Sequence, residues 1–518
     1  MAEAGDVLPH AEVTPEAAIQ GAFKTPRVII GALMIALLLS ALDNTIVGTA
    51  LATIAGQLGG FESFTWVTTA YVACSTVSTL LLGKLSDLYG RRNLLLFAIG
   101  LFVAASLLCG AAQSINQLIA ARALQGIGGG GIWGLTFATV GDIVPPRERG
   151  RYFGLFTSVF ALASVVGPLV GGVIVDNVSW RWIFLVNLPL GALAFGLLVR
   201  VLKLPKPKSK PKIDGVGAVL LSITVGGLMV TLERGSKASW TSPLILGGFA
   251  LVLATFVALI AWERKVEEPI VPLRLFANKN LRFAFLLGFI VGPALMTIGT
   301  FFGLYFQTVR FLTPTRAGLQ GVPMMIGMVI GSTVSGRIIT KSGRYRKLPL
   351  IGFSVTILGV GIAAATGVAT SLWIVAAAML FAGLGTGLTM PTLSIVAQNS
   401  AEARDLGVAS ATSNFMRSLG GSIALAIYGV WFSATIRSEV QGAFPGDPRV
   451  SNISSLIRTP GQIKRLPLDL RTAVGEAIAT GIGRIFLASL VLAVLGLGVA
   501  FFLRDETLRG TTSLAPTE

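Results

Sequence analysis

RALQGIGGGGIWG, residues 122–134, decides how this chain is to be read. Gly126, Gly128 and Gly131 fit the G-x-G-x-x-G spacing of a dinucleotide-binding loop. Such a loop has a strand before it and opens a helix after it, so that backbone amides cradle a pyrophosphate. Here the glycines sit inside an apolar run, 117–139, with no strand before them. The match is a coincidence of spacing, and the glycines serve packing instead.

The surroundings explain why. Of 518 residues, 53% are hydrophobic and 13% charged, with a mean hydropathy of +0.77. A soluble domain carries about 25% charged residues, so this chain lacks the groups to cover a water-facing surface. Runs of roughly 20 apolar residues are candidate membrane-spanning helices. Fourteen are expected, at about 28–50, 64–83, 93–112, 117–139, 152–175, 182–202, 214–233, 243–262, 283–306, 317–339, 348–367, 372–396, 407–433 and 482–503. Cys74 and Cys109 both fall inside these runs, which excludes a disulfide framework. His10, the sole histidine, lies in a polar N-terminal stretch. No His-based metal centre or catalytic triad is therefore expected, and neither metal nor cofactor.

An even number of crossings puts both termini on one side. Residues 1–27 lack the layout of a signal peptide and read as a cytoplasmic tail. Of 41 Lys and Arg, 27 lie on the side of the termini, including Lys84, Arg91, Arg92, Arg149 and the run RVLKLPKPKSKPK at 200–212. The positive-inside rule then makes that side cytoplasmic. The net charge of +17 reflects topology and attraction to anionic lipid, not nucleic acid. A long loop, about 434–481, is expected on the outer side, either as a solvated segment with a short amphipathic helix or as an interaction site.

GKLSDLYGRR at 83–92 and GRIITKSGRYR at 336–346 share Gly83/Gly336, Gly90/Gly343 and Arg91/Arg344. The first closes span 2 and the second closes span 10, so the chain reads as two homologous halves. The expected organisation is a six-helix bundle at 28–202 and a basic linker with inserted helices 7 and 8 at 203–282. A second six-helix bundle follows at 283–503, and a cytoplasmic tail at 504–518.

The motifs GKLSDLYGRR (83–92), LIAARALQGIGG (118–129), SVVGPLVGG (164–172), LDNTIVGTAL (42–51) and SWRWIFLVNLPLG (179–191) together resemble the major facilitator superfamily. More narrowly they resemble its fourteen-helix drug:proton antiporters of the quaternary-ammonium and multidrug efflux type. EPIVPLRLF (268–276) and NFMRSLGGS (414–422) extend the likeness over about 28–509. The resemblance implies an all-α polytopic membrane protein of two six-helix bundles plus two inserted helices. It implies a multi-pass monomer in the cell membrane, and two departures stand out. Ala163 occupies the start of the helix-5 motif and Phe311 an outer loop, where the family usually has glycine.

Asp43 lies near the middle or outer half of the first span, where an ionisable group costs a few kcal/mol. Burial raises a carboxyl pKa and a neighbouring cation lowers it, so Asp43 either binds protons or is a neutral acid hydrogen-bonded to a neighbour such as Asn44. By resemblance it couples transport to protons, and Arg122 assists proton transfer. Alternatively Arg122 snorkels to the outer headgroups. Arg122, Gln125, Gly129 and Trp133 recur at +3, +7 and +11, one helix face suited to a cavity wall. Gly83, Asp87, Gly90 and Arg91 read as a turn with a gating contact, Asp87 meeting a helix N-terminus or a basic residue. Pro168 with Gly167, Gly171 and Gly172 makes the fifth span bendable; the family's motif there is associated with sealing against leak. Asn44, Gln125, Trp133, Tyr305, Gln307, Gln398, Asn414 and Arg417 are candidates for the substrate cavity.

These readings point to export of lipophilic or cationic small molecules in exchange for protons. Partners would be substrate, protons and the lipid bilayer. An exporter of an endogenous lipid, siderophore or metabolite on the same fold is a second reading, and a non-transporting receptor or scaffold a third. No G-x-x-x-x-G-K-[ST] loop supports an ATP-driven pump, and no nucleophile–base pair supports an enzyme.

Overall fold

A computed structural model describes residues 26–58, 64–202, 214–235, 240–402, 405–445, 463, 466–506 and 508. The expected N-terminal tail up to residue 25, the basic run at 203–212, the middle of the outer loop and most of the C-terminal tail fall outside these residues. Among the described residues the chain is helical and contains no strand.

Fourteen long helices form among the described residues. They are α1 (Pro26–Leu58), α2 (Phe64–Tyr89), α3 (Arg91–Ala111), α4 (Ile115–Ile143), α5 (Pro146–Asn177), α6 (Trp182–Val201), α7 (Gly215–Gly235), α8 (Pro243–Glu263), α9 (Lys279–Thr308), α10 (Val322–Ser342), α11 (Lys347–Ala364), α12 (Leu372–Asn399), α13 (Leu406–Ala443) and α14 (Leu468–Ala500). Thirteen are long and apolar enough to cross a membrane. The other, α4, is diluted by glycine, Arg122 and Gln125, and is the most enclosed helix of its half, buried along most of its length.

Both ends of the helical array emerge on one face, called here the termini face. There Asn280 and Ser400 donate to the Glu506 carboxylate at 2.6 and 2.7 Å, and the Glu506 amide donates to the Tyr345 hydroxyl. The C-terminal segment thus clasps the ends of α9 and α12 and the turn between α10 and α11. α1, α2, α3 and α5 pack on α4 with α6 against α1 and α3, and α9, α10, α11 and α13 pack on α12 with α14 against α9, α11 and α13. α7 and α8 pair with each other, and α7 leans on α2 and α13. The halves meet where α5 packs along α10 and α2 along α13. The outer surface of α8 displays Leu246, Leu253 and Val257, an apolar face suited to lipid.

The glycine run explains the position of α4. A Cβ at Gly126 or Gly130 would strike the backbone of Tyr71 or Ser75 on α2; one at Gly128 would lie 2.6 Å from the Ala98 carbonyl on α3. Small residues let backbones approach where lipid supplies no hydrophobic drive. Gly90 (φ 92°) and Gly343 (φ 65°) hold left-handed backbone in the turns after α2 and α10. That conformation accounts for glycine at both copies of the repeat. Among the described residues Phe311 is the non-glycine residue with positive φ, 52°.

The outer loop is shorter than the sequence suggested. α13 continues to Ala443 and α14 begins at Leu468. Charges at Arg437, Glu439, Arg471 and Glu476 depress the hydropathy, yet Ile436 and Val440 keep one apolar face that packs with Leu470, Val474 and Ile478. Helical spacing continued past the point where bulk apolarity failed.

Candidate functional site

The site begins with two charges in the interior of the first bundle. Asp43 on α1 and Arg122 on α4 are both fully buried, and Arg122 Nη1 stands 2.6 Å from Asp43 Oδ2. The other carboxylate oxygen accepts from Gln125 Nε2 and Asn187 Nδ2, each at 2.8 Å. Both amides also reach the Ser106 hydroxyl. Gln125 completes the circuit by accepting from Arg122 Nη1 at 2.6 Å. Donors from α4 and α6 therefore converge on the α1 carboxylate, with Ser106 of α3 holding both amides, and every donor faces its charged form. A buried pair is tolerable only with such added hydrogen bonds. The Arg122 guanidinium also stacks 4.1 Å from the Tyr71 ring centroid and leaves Nη2 without a hydrogen-bond partner.

Tyr71 forms the wall between this cluster and a cavity. Its hydroxyl and that of Ser40 lie 3.1 Å apart. Gly129 makes room for this pair, because a Cβ there would collide with the Tyr71 hydroxyl. On the far side of Tyr71 a cavity of about 130 Å³ lies between the halves. Trp133, Phe137 and Phe160 supply aromatic surface from the first half; Asn414, Arg417 and Ser418 supply polar groups from α13.

The halves touch at the termini face. Gly83 meets Ala411 so closely that a Cβ would lie 2.6 Å from its Cβ. The Asp87 carboxylate accepts from the Val408 amide in the first turn of α13 at 3.3 Å. It also pairs with Arg91 at 2.8 Å, and Arg91 contacts Asp142 as well. Gln398 crosses from α12 to donate to the Phe137 carbonyl of α4 at 3.0 Å. On the other seam, a Cβ at Gly336 would strike the backbone of Gly150. The four residues read as a gate are thus gathered at one inter-half contact.

In α5, Pro168 lies within the helix and a Cβ at Gly167 would overlap Thr45 of α1. The Thr45 hydroxyl donates to the Ala163 carbonyl at 3.0 Å. This binds α1, which carries Asp43, to the proline-containing helix.

Of the cavity candidates, Asn44, Trp133, Asn414 and Arg417 line the cavity. Gln125 belongs to the ion-pair cluster instead. Tyr305 is enclosed, donating to the Gly367 carbonyl at 2.9 Å, and Gln307 donates to Gly303 within its own helix. Gln398 sits at the seam. The face through Arg122, Gln125, Gly129 and Trp133 accordingly passes from charge cluster to tyrosine wall to cavity. Asn187, Ser106, Tyr71 and Asp142 were not singled out in the sequence. A polar amide inside an apolar span marks Asn187, but serine and tyrosine are too common in membrane helices to stand out alone.

The Major Facilitator Superfamily model matches residues 33–425. The chain belongs to the major facilitator superfamily. This superfamily member is 35% identical to "Multidrug resistance protein 3" of Bacillus subtilis (strain 168) over 499 residues, 95% of this chain and 97% of that protein. It is 37% identical over 407 residues to "Multidrug transporter protein MdtP" of the same organism, 78% of this chain and 75% of the other. Among solved structures it is similar to the human organic anion transporter MFSD10 (TETRAN). That match has a TM-score of 0.60 over 90% of this chain and 99% of that one; at 14% identity it shows the fold alone. The facilitator chain is a multi-pass membrane transporter for a small molecule, not an enzyme.

Proposed function

We propose that this transporter is a proton-coupled antiporter that exports lipophilic drugs and related small molecules across the cell membrane, with the termini face cytoplasmic. The bundles at 28–202 and 283–503 would rock about the cavity between them. The observation that carries this reading is the Asp43–Arg122 pair, a carboxylate wholly enclosed at membrane depth and separated from the cavity by the Tyr71 side chain. When Tyr71 swings aside, Asp43 meets the cavity and exchanges a proton. Protonation neutralises the carboxylate and releases Arg122, so the two protonation states favour different helix arrangements. Asp87, Gly83, Gly90 and Arg91 hold the cytoplasmic contact in one arrangement and part in the other, while the α5 motif seals the path. Drug export also agrees with the names of the two Bacillus relatives, a multidrug resistance protein and a multidrug transporter.

The energetics suffice. One proton moving down 100 mV supplies about 2.3 kcal/mol, and one pH unit adds about 1.4 kcal/mol. The sum supports roughly a 500-fold gradient of a neutral substrate per proton. Purified protein in acid-loaded vesicles containing a pH-sensitive dye provides the test. Adding transported compound outside should release protons from the lumen. Compound uptake with no proton movement would refute antiport.

A further inference from the structure

Among the described residues lining the cavity, Arg417 is the one charged group; no aspartate or glutamate is among them. Its guanidinium donates to the Asn414 side-chain oxygen, and no carboxylate lies within ion-pairing distance of it in the described structure. The neighbouring Asp43 carboxylate cannot offset this charge, because it lies beyond Tyr71 and already binds Arg122 at 2.6 Å. The cavity therefore carries an uncompensated positive charge at membrane depth. Such a charge is costly unless something of opposite sign pairs with it.

We infer that the cavity selects amphipathic organic monoanions, aromatic carboxylates or sulfonates, over organic cations. The guanidinium fork of Arg417 matches a planar or trigonal oxyanion with parallel N–H donors. Ser418 and Ser422 follow on α13 and offer hydroxyls to the same headgroup. Across the cavity, Trp133, Phe137 and Phe160 provide rings for an aromatic body; Trp133 and Phe160 already meet edge to face at 5.8 Å. A quaternary ammonium would find the rings but also Arg417, with no acid to balance either charge. This inference rests on the transport reading above and names its substrate class.

The test uses the full chain in detergent without a proton gradient. Naphthalene-2-sulfonate and 2-naphthyltrimethylammonium, similar in shape and opposite in charge, are titrated calorimetrically. The sulfonate should bind about tenfold or more tightly. Arg417→Gln, which keeps a donor for Asn414, should abolish that preference, and Arg417→Lys should retain part of it. Equal or tighter ammonium binding by wild type would overturn the inference, as would no sulfonate binding at all. Sulfonate affinity unchanged within twofold in a folded Arg417→Gln protein would overturn it too. Because binding is read without a gradient, sulfonate preference alongside failed proton release would refute antiport alone.

Discussion

Replacing Asp43 by asparagine separates the structural role of the carboxylate from its proposed role in coupling. In the folded protein this group accepts from Arg122, Gln125 and Asn187, all at 2.6–2.8 Å, and both charged partners are fully enclosed. An exposed pair would be worth about 0–1 kcal/mol. Here Asp43→Asn leaves a buried guanidinium uncompensated, and one amide NH2 must point at a donor. The expected loss is about 3–5 kcal/mol. Arg122→Gln should cost about 1–3 kcal/mol, since Gln125 and Asn187 still donate to the remaining carboxylate. The double variant Asp43→Asn/Arg122→Gln carries neither charge and should recover to within about 1 kcal/mol of wild type. Uphill transport in energised proteoliposomes should vanish in all three, with stability followed in parallel by unfolding in mixed detergent. A double variant no more stable than Asp43→Asn would show that the two charges do not compensate one another. Accumulation by Asp43→Asn at the wild-type level would remove Asp43 from coupling altogether.

Gly130→Ala places a methyl against the Ser75 backbone and should destabilise the protein by about 1–3 kcal/mol, read in the same unfolding assay. Phe311→Gly removes left-handed strain at φ 52° and should add about 1 kcal/mol, less whatever packing the ring provides. For Tyr345, between α10 and α11, burial pushes the phenol up to about 12 from an ordinary 10. Its raised value means that its contribution to stability is complete below pH 10 and disappears as pH rises through 12; Tyr345→Phe should flatten that stretch of the stability–pH curve. One-for-one exchange of a proton for a monoanion moves two charges inward per cycle. An inside-negative step of about 59 mV, a tenfold factor per charge, should therefore raise the sulfonate gradient about 100-fold. An electrically silent exchange would contradict that stoichiometry.

The helices and their order are legible because membrane crossing demands long apolar runs, and α4 is helical despite a glycine pattern that imitates a nucleotide loop. The pairing of Asp43 with Arg122 is visible in the sequence only as two charges on different spans. Contact depends on helix neighbourhood, which a single chain does not spell out. Tyr305 and Gln398 illustrate the converse limit. Both are polar within apolar runs, but one satisfies a loop carbonyl and the other bridges the halves. Polarity at depth announces a partner without saying whether it is substrate or backbone. The far ends of α13 and α14 were underestimated because overall apolarity fell before the four-residue rhythm of Ile436 and Val440 did.

The glycine face of α4 has a mechanical corollary. Where main chain presses on main chain at Gly126, Gly128 and Gly130, no rotamer is available to absorb a shift. α2, α3 and α4 are welded into a single plank. If the halves rock as proposed, deformation falls on the seams with α10 and α13 and on α5 around Pro168, and stiffness inside the first half would turn protonation of Asp43 into leverage on the second.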